Sequence, residues 1–129
     1  MPVLGQNYAE VVDTVATYFD GLYNCDVAAL AQVFHPGSHL ASVTEGPLLQ
    51  MDLPSYLAVV AKRESPASRK EVRSDRIVSI EFAGPTTAFA RVKCSIGPKL
   101  FTDLLSLILV DGRWQIISKV YHFDPIKVS

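Results

Sequence analysis

Apolar residues recur at helical spacing through the first part of the chain and at every second position through the last. Tyr8, Val11, Val12, Val15, Ala16, Phe19, Leu22 and Tyr23 fall on one helical stripe. Asn7-Tyr8-Ala9-Glu10 has the form of a capping box, and Asn24 suits a left-handed close, so an amphipathic helix of about four turns is expected between them. Asp26 can cap a second helix, Val27 to Phe34, which His35-Pro36-Gly37 should stop because a residue before proline avoids helical angles. His39 to Thr44 and Leu48 to Met51 read as two short strands joined across Glu45-Gly46-Pro47, a small outlying hairpin. Asp52 can cap a third helix with Leu53, Tyr56, Leu57 and Val60 on one face and Lys62 and Arg63 at its C-terminal end. Ser65 to Ser74 has no period and reads as an exposed loop.

From Arg76 the period is two. Val78, Ile80 and Phe82 alternate with Ile77, Ser79 and Glu81, and Gly84-Pro85 turns the chain. The next strand, Thr87 to Ile96, sets Ala88, Ala90, Val92, Cys94 and Ile96 on one side. Gly97-Pro98 then leads into a long hairpin around Asp111-Gly112, a dipeptide suited to a two-residue turn. With Val110 opposite Arg113, one face carries Phe101, Asp103, Leu105, Trp114, Ile116 and His122, and the other carries Leu104, Ile108, Lys119 and Tyr121. Both faces are mainly apolar, so the sheet should be covered twice, by helices on one side and by a second subunit on the other. Helices followed by antiparallel strands give an α+β class, three N-terminal helices packed on a curved, mainly antiparallel sheet whose open end forms a pocket.

At 129 residues with a formal charge of −1, the chain is long enough for one domain with a true core, and its mixed charges point away from nucleic acid. No apolar run reaches the length of a membrane span, and Met1-Pro2-Val3-Leu4-Gly5 lacks the form of a signal peptide. Cys25 and Cys94 sit in no metal or redox spacing, so reduced thiols in the cytoplasm are expected.

Several segments together resemble the nuclear transport factor 2-like (NTF2-like) superfamily. They are Tyr18-Phe19-Asp20-Gly21-Leu22-Tyr23-Asn24-Cys25-Asp26, Phe34-His35-Pro36, Met51-Asp52-Leu53, and Phe101-Thr102-Asp103 through Asp111-Gly112-Arg113-Trp114 to Lys119. Within that superfamily the chain is similar to the SnoaL-like bacterial group labelled "putative lumazine-binding". The resemblance implies a single cystatin-like cone over residues 1–129, a ligand pocket between helices and sheet, and a homodimer formed through the outer face of the sheet. For activity it implies a cofactor-independent isomerase, dehydratase or cyclase, or alternatively a dimerisation or interaction module. Ketosteroid isomerases and polyketide cyclases of this fold carry a carboxylate base on the strand after the second helix. Here Ser38 to Thr44 has none before Glu45.

The candidate chemistry centres on Asp103. Inside an apolar strand an ionised carboxylate needs a partner, so Asp103 is either a pocket acid or base or half of a structural ion pair. His122 falls on the same expected face, where a carboxylate would fix its tautomer and raise its basicity, or else it is a partly exposed residue near the C-terminus. Lys119 faces away in this register, but a slip of one residue would bring it to the side of Asp103. His39, Tyr18, Tyr56 and Lys119 are candidate ligand-binding groups, the tyrosines otherwise filling the core and Lys119 either holding an anionic ligand or pairing with a carboxylate across the dimer. The three histidines have no spacing for a metal, so neither a metal nor a cofactor is expected, only a small organic ligand in an apolar pocket.

Overall fold

The computed structural model describes residues 4–126. Its elements run α1 (Leu4–Asn24), α2 (Val27–Val33), β1 (Phe34–Ser42), β2 (Leu49–Asp52), α3 (Leu53–Ala61), β3 (Asp75–Phe82), β4 (Thr87–Ile96), β5 (Lys99–Val110) and β6 (Arg113–Pro125). The strands form one six-stranded sheet in the order β2-β1-β6-β5-β4-β3, antiparallel except where β1 runs parallel to β6. The helices bury Val11, Val15, Tyr18, Leu30, Tyr56 and Val60 against Ala88, Ala90, Val92, Leu105, Leu107 and Ile116 of the sheet. This is the α+β cone expected from the sequence. No helix among the described residues is long and apolar enough to cross a membrane.

Local chemistry explains the helix ends. Asp26 accepts from the Ala29 amide at 3.1 Å and Asp52 from the Ser55 amide at 2.9 Å, so both expected caps form. The first helix begins at Leu4, which puts Asn7 inside it as a buried residue rather than at a capping box. The left-handed residue after α1 is Cys25, with φ of 48°, in place of Asn24. The second helix ends one residue earlier than expected, because Phe34 already has extended angles and opens β1. His35-Pro36-Gly37 therefore lies within β1, at an irregularity between Phe34 and His39. Through β1 the supposed outlying hairpin becomes part of the main sheet.

Two bulges reset the faces of the strands. Asp111 and Gly112, with φ of 52° and 77°, form the two-residue turn, and Val110 pairs with Arg113 as expected. The ladder holds to Leu107–Ile116 and resumes at Ser106–Ser118, leaving Ile117 as an extra residue. Trp114 and Ile116 face inward before the bulge, while Lys119 is buried on the inner side after it. Lys119 and Tyr121, expected on the opposite face, thus join Asp103, and His122 is carried to the outer side. Val78 has the same effect in β3, so Ile77 joins Ile80 and Phe82 in packing against the core while Val78 is exposed.

Candidate functional site

Four elements bring their polar side chains to one point. α1 supplies Tyr18, α3 supplies Tyr56, β5 supplies Asp103 and β6, just past its bulge, supplies Lys119. Phe34, at the corner between α2 and β1, holds the tyrosines apart, its ring centroid 5.8 Å from that of Tyr18 and 5.8 Å from that of Tyr56. Tyr18 donates to Asp103 Oδ2 at 2.5 Å. Lys119 Nζ stands 3.9 Å from the same oxygen and donates to Tyr56 Oη at 3.4 Å. The ammonium also lies 5.2, 5.1 and 5.2 Å from the ring centroids of Tyr18, Tyr56 and Tyr121, an aromatic enclosure that favours a cation.

This cluster is buried. Asp103 is 1% exposed and Lys119 6%, and Asp103 Oδ1 has no hydrogen-bond partner. Burial pushes the Lys119 ammonium toward its neutral form, but the charge of Asp103, with contributions from Tyr56 and Cys94, outweighs it and holds the group above its ordinary value. Burial first and Asp103 next raise the Tyr18 hydroxyl well above the ordinary range, so it stays a donor. Burial and the nearby carboxylate likewise push the Cys94 thiol up to about 12, which keeps it protonated and poorly nucleophilic at neutral pH.

Above the cluster opens a pocket of about 300 Å³, floored by Asp103, Lys119 and Tyr56 and walled by Leu22, Met51, Cys94, Ile96, Phe101, Tyr121 and Phe123. At about 30 Å³ per water, that is room for about ten waters or a small organic molecule. Glu45, Arg63 and Lys99 also line it. Tyr18 does not reach the pocket and stands behind Asp103.

The expected site residues separate cleanly. Asp103, Lys119, Tyr56 and Tyr18 come together. His122 does not meet Asp103, because the bulge turns it outward, where it is exposed and bonded to Thr44 Oγ1 at 3.1 Å and Asp124 Oδ1 at 3.0 Å. His39 is also exposed, since Ser38 and Leu40 on either side take the inward positions of β1. Tyr121, Phe101 and Cys94 were not singled out for the site. For Cys94 the signal was present in its alternation with Ala88, Ala90 and Val92, whereas Tyr121 was hidden by the bulge.

The family model described as "Putative lumazine-binding" matches residues 6–122. The chain belongs to this family. A curated relative, the aldolase FrzH of Cladobotryum sp., is 22% identical over 95% of this chain and 96% of its own length. Among solved structures, an NTF2-like protein from Shewanella baltica superposes with a TM-score of 0.86 at 24% identity, covering 97% of this chain and 99% of that one. Another from Silicibacter pomeroyi superposes with a TM-score of 0.81 at 23% identity, covering 95% of this chain and all of that one. At these identities the structural likeness establishes the fold alone.

Proposed function

We propose that the pocket binds a small organic carbonyl compound and moves a proton at the carbon beside the carbonyl. The observation that carries this reading is that Asp103 lines the pocket, has the Lys119 ammonium 3.9 Å from Oδ2 and leaves its other oxygen, Oδ1, without a hydrogen-bond partner. Asp103 Oδ1 takes the proton, the C–H electron pair becomes the new C=C bond, and the carbonyl π pair moves onto oxygen. Lys119 donates to that oxygen as charge develops, with Tyr56 fixing the ammonium from the other side. Tyr18 acts as a positioning residue, holding Oδ2 and leaving Oδ1 as the oxygen that takes the proton. In a β,γ-unsaturated ketone the resulting dienolate recovers the proton at the γ carbon, which is an isomerisation; a simple enolate instead attacks a second carbonyl, whose alkoxide takes the proton from Asp103. The latter outcome agrees with the name of the Cladobotryum relative. No redox partner enters this balance.

Lys119 serves here as a charged donor, not as an amine nucleophile, so borohydride added with a ketone should trap no covalent adduct. Proton exchange tests the reading. In D2O, the protein should accelerate deuterium incorporation next to the carbonyl of benzylacetone. D103N should abolish the acceleration, and K119M should reduce it about a hundredfold or more. Exchange no faster with the wild type than with D103N would refute it.

A second reading is favoured by the outer face. Leu104, Ile108 and Ile117 are only half-buried there, and Val78, Val120, Val43 and Leu48 are exposed. A second copy of the chain covering this face, as in a homodimer or an interaction module without chemistry, would bury them. Sedimentation should then show a dimer at micromolar concentration, and a monomer alone would oppose it. Free Cys25 and Cys94 accord with a reducing, cytoplasmic setting.

A further inference from the structure

The charges around the pocket are not evenly spread. Asp103 and Lys119 offset each other at the floor, while Glu45, Arg63 and Lys99 line the remainder, leaving one more cation than anion. Neither Arg63 nor Lys99 forms an ion pair with a described carboxylate. Lys99 instead rests with Nζ 4.5 Å from the ring centroid of Phe123, a wall of the same pocket. Arg63 follows α3, and its charge is felt inside: burial raises the Cys94 thiol and the Tyr121 hydroxyl, and Lys119 first and Arg63 after it offset part of each rise. This local excess of positive charge opposes the net charge of −1 on the whole chain.

The floor, by contrast, has no cation to spare for a ligand carboxylate: Lys119 is already engaged with Oδ2 of the buried Asp103. An anionic group on a ligand therefore belongs at the mouth, and the neutral, polarisable part belongs inside. From this asymmetry we infer that the preferred ligand is a keto acid or similar carboxylate-bearing carbonyl compound, its carboxylate held by Arg63 and Lys99 and its carbonyl directed to Lys119. This rests on the carbonyl reading above and adds the orientation and the charge of the ligand.

Benzylpyruvate and benzylacetone test it, because they share a phenyl group, a linker and a ketone and differ in the carboxylate. Isothermal titration calorimetry should give benzylpyruvate a Kd about three- to tenfold lower at low salt, the range expected for one or two exposed ion pairs. The advantage should shrink at high salt and vanish in the double variant R63Q/K99Q, read as the ratio of the two affinities in the same protein. Both substitutions are at the pocket rim, and circular dichroism verifies that the double variant is folded. Equal affinities for the two compounds in the wild type, or an advantage that survives in R63Q/K99Q, would overturn the inference while leaving the carbonyl reading intact. Binding of neither compound would overturn both.

Discussion

Replacing Lys119 by methionine keeps most of the side-chain volume and removes the charge that faces Asp103. The carboxylate, 1% exposed, then retains only the hydrogen bond from Tyr18. Breaking a buried pair in this way costs about 3–5 kcal/mol. The single N–O approach of 3.9 Å and the surviving Tyr18 bond favour the lower part of that range. The deficit of K119M should therefore be about 3–4 kcal/mol at pH 7. Urea unfolding followed by circular dichroism, extrapolated linearly to water, measures it. The double variant K119M/D103L, which removes both charges, should return to within about 1 kcal/mol of the wild type, as buried pairs exchanged for apolar residues do. A K119M deficit below about 1 kcal/mol, or a double variant no more stable than K119M, would refute the reasoning.

Further outcomes follow from the packing and the titrating groups. A Cβ on Gly21 would meet Cγ and Cδ2 of the fully buried Leu30 at 2.7 Å each, so G21A should destabilise by about 1–3 kcal/mol in thermal or urea unfolding despite alanine's better helix propensity. Cys94, Tyr18 and Lys119 are all raised in the folded state, so each contributes stability that is fully present below its unfolded value and lost as pH rises through the folded one. Unfolding free energy should thus decline from about pH 9, at about 1.4 kcal/mol per pH unit for each such group. C94A should lessen the drop between pH 9 and pH 11 by about 2–3 kcal/mol, since the thiol titrates from 9.0 unfolded to about 12 folded. A C94A profile parallel to that of the wild type would contradict this.

Local signals in the chain were enough to identify the meander of β3 to β6, the turn at Asp111-Gly112 and the caps at Asp26 and Asp52, because each depends on residues close in sequence. They also singled out Asp103 as a carboxylate that needs a partner. They could not choose that partner. The choice depends on Ile117, which is bulged out of a strand paired with β5 on one side and β1 on the other. Its sequence neighbourhood, Gln115-Ile116-Ile117-Ser118, sets two isoleucines side by side, which in a strand apolar on both faces does not single out a bulge. The same non-local cause misplaced Val78, and the entry of β1 into the sheet likewise depends on its parallel pairing with β6. One extra residue in β6 thus exchanges an aspartate–histidine pair for an aspartate–lysine pair, and with it a neutral base for a fixed cation.

Whether the space above Asp103 and Lys119 receives a guest can be read residue by residue. Titration of isotope-labelled protein with benzylacetone, followed by NMR, should perturb Cys94, Phe101, Lys119 and Tyr121 together and leave the outer-face residues Val43, Leu48 and Val120 unmoved. Perturbations confined to the outer face, or none at saturating ketone, would contradict a ligand site between the helices and the curved sheet.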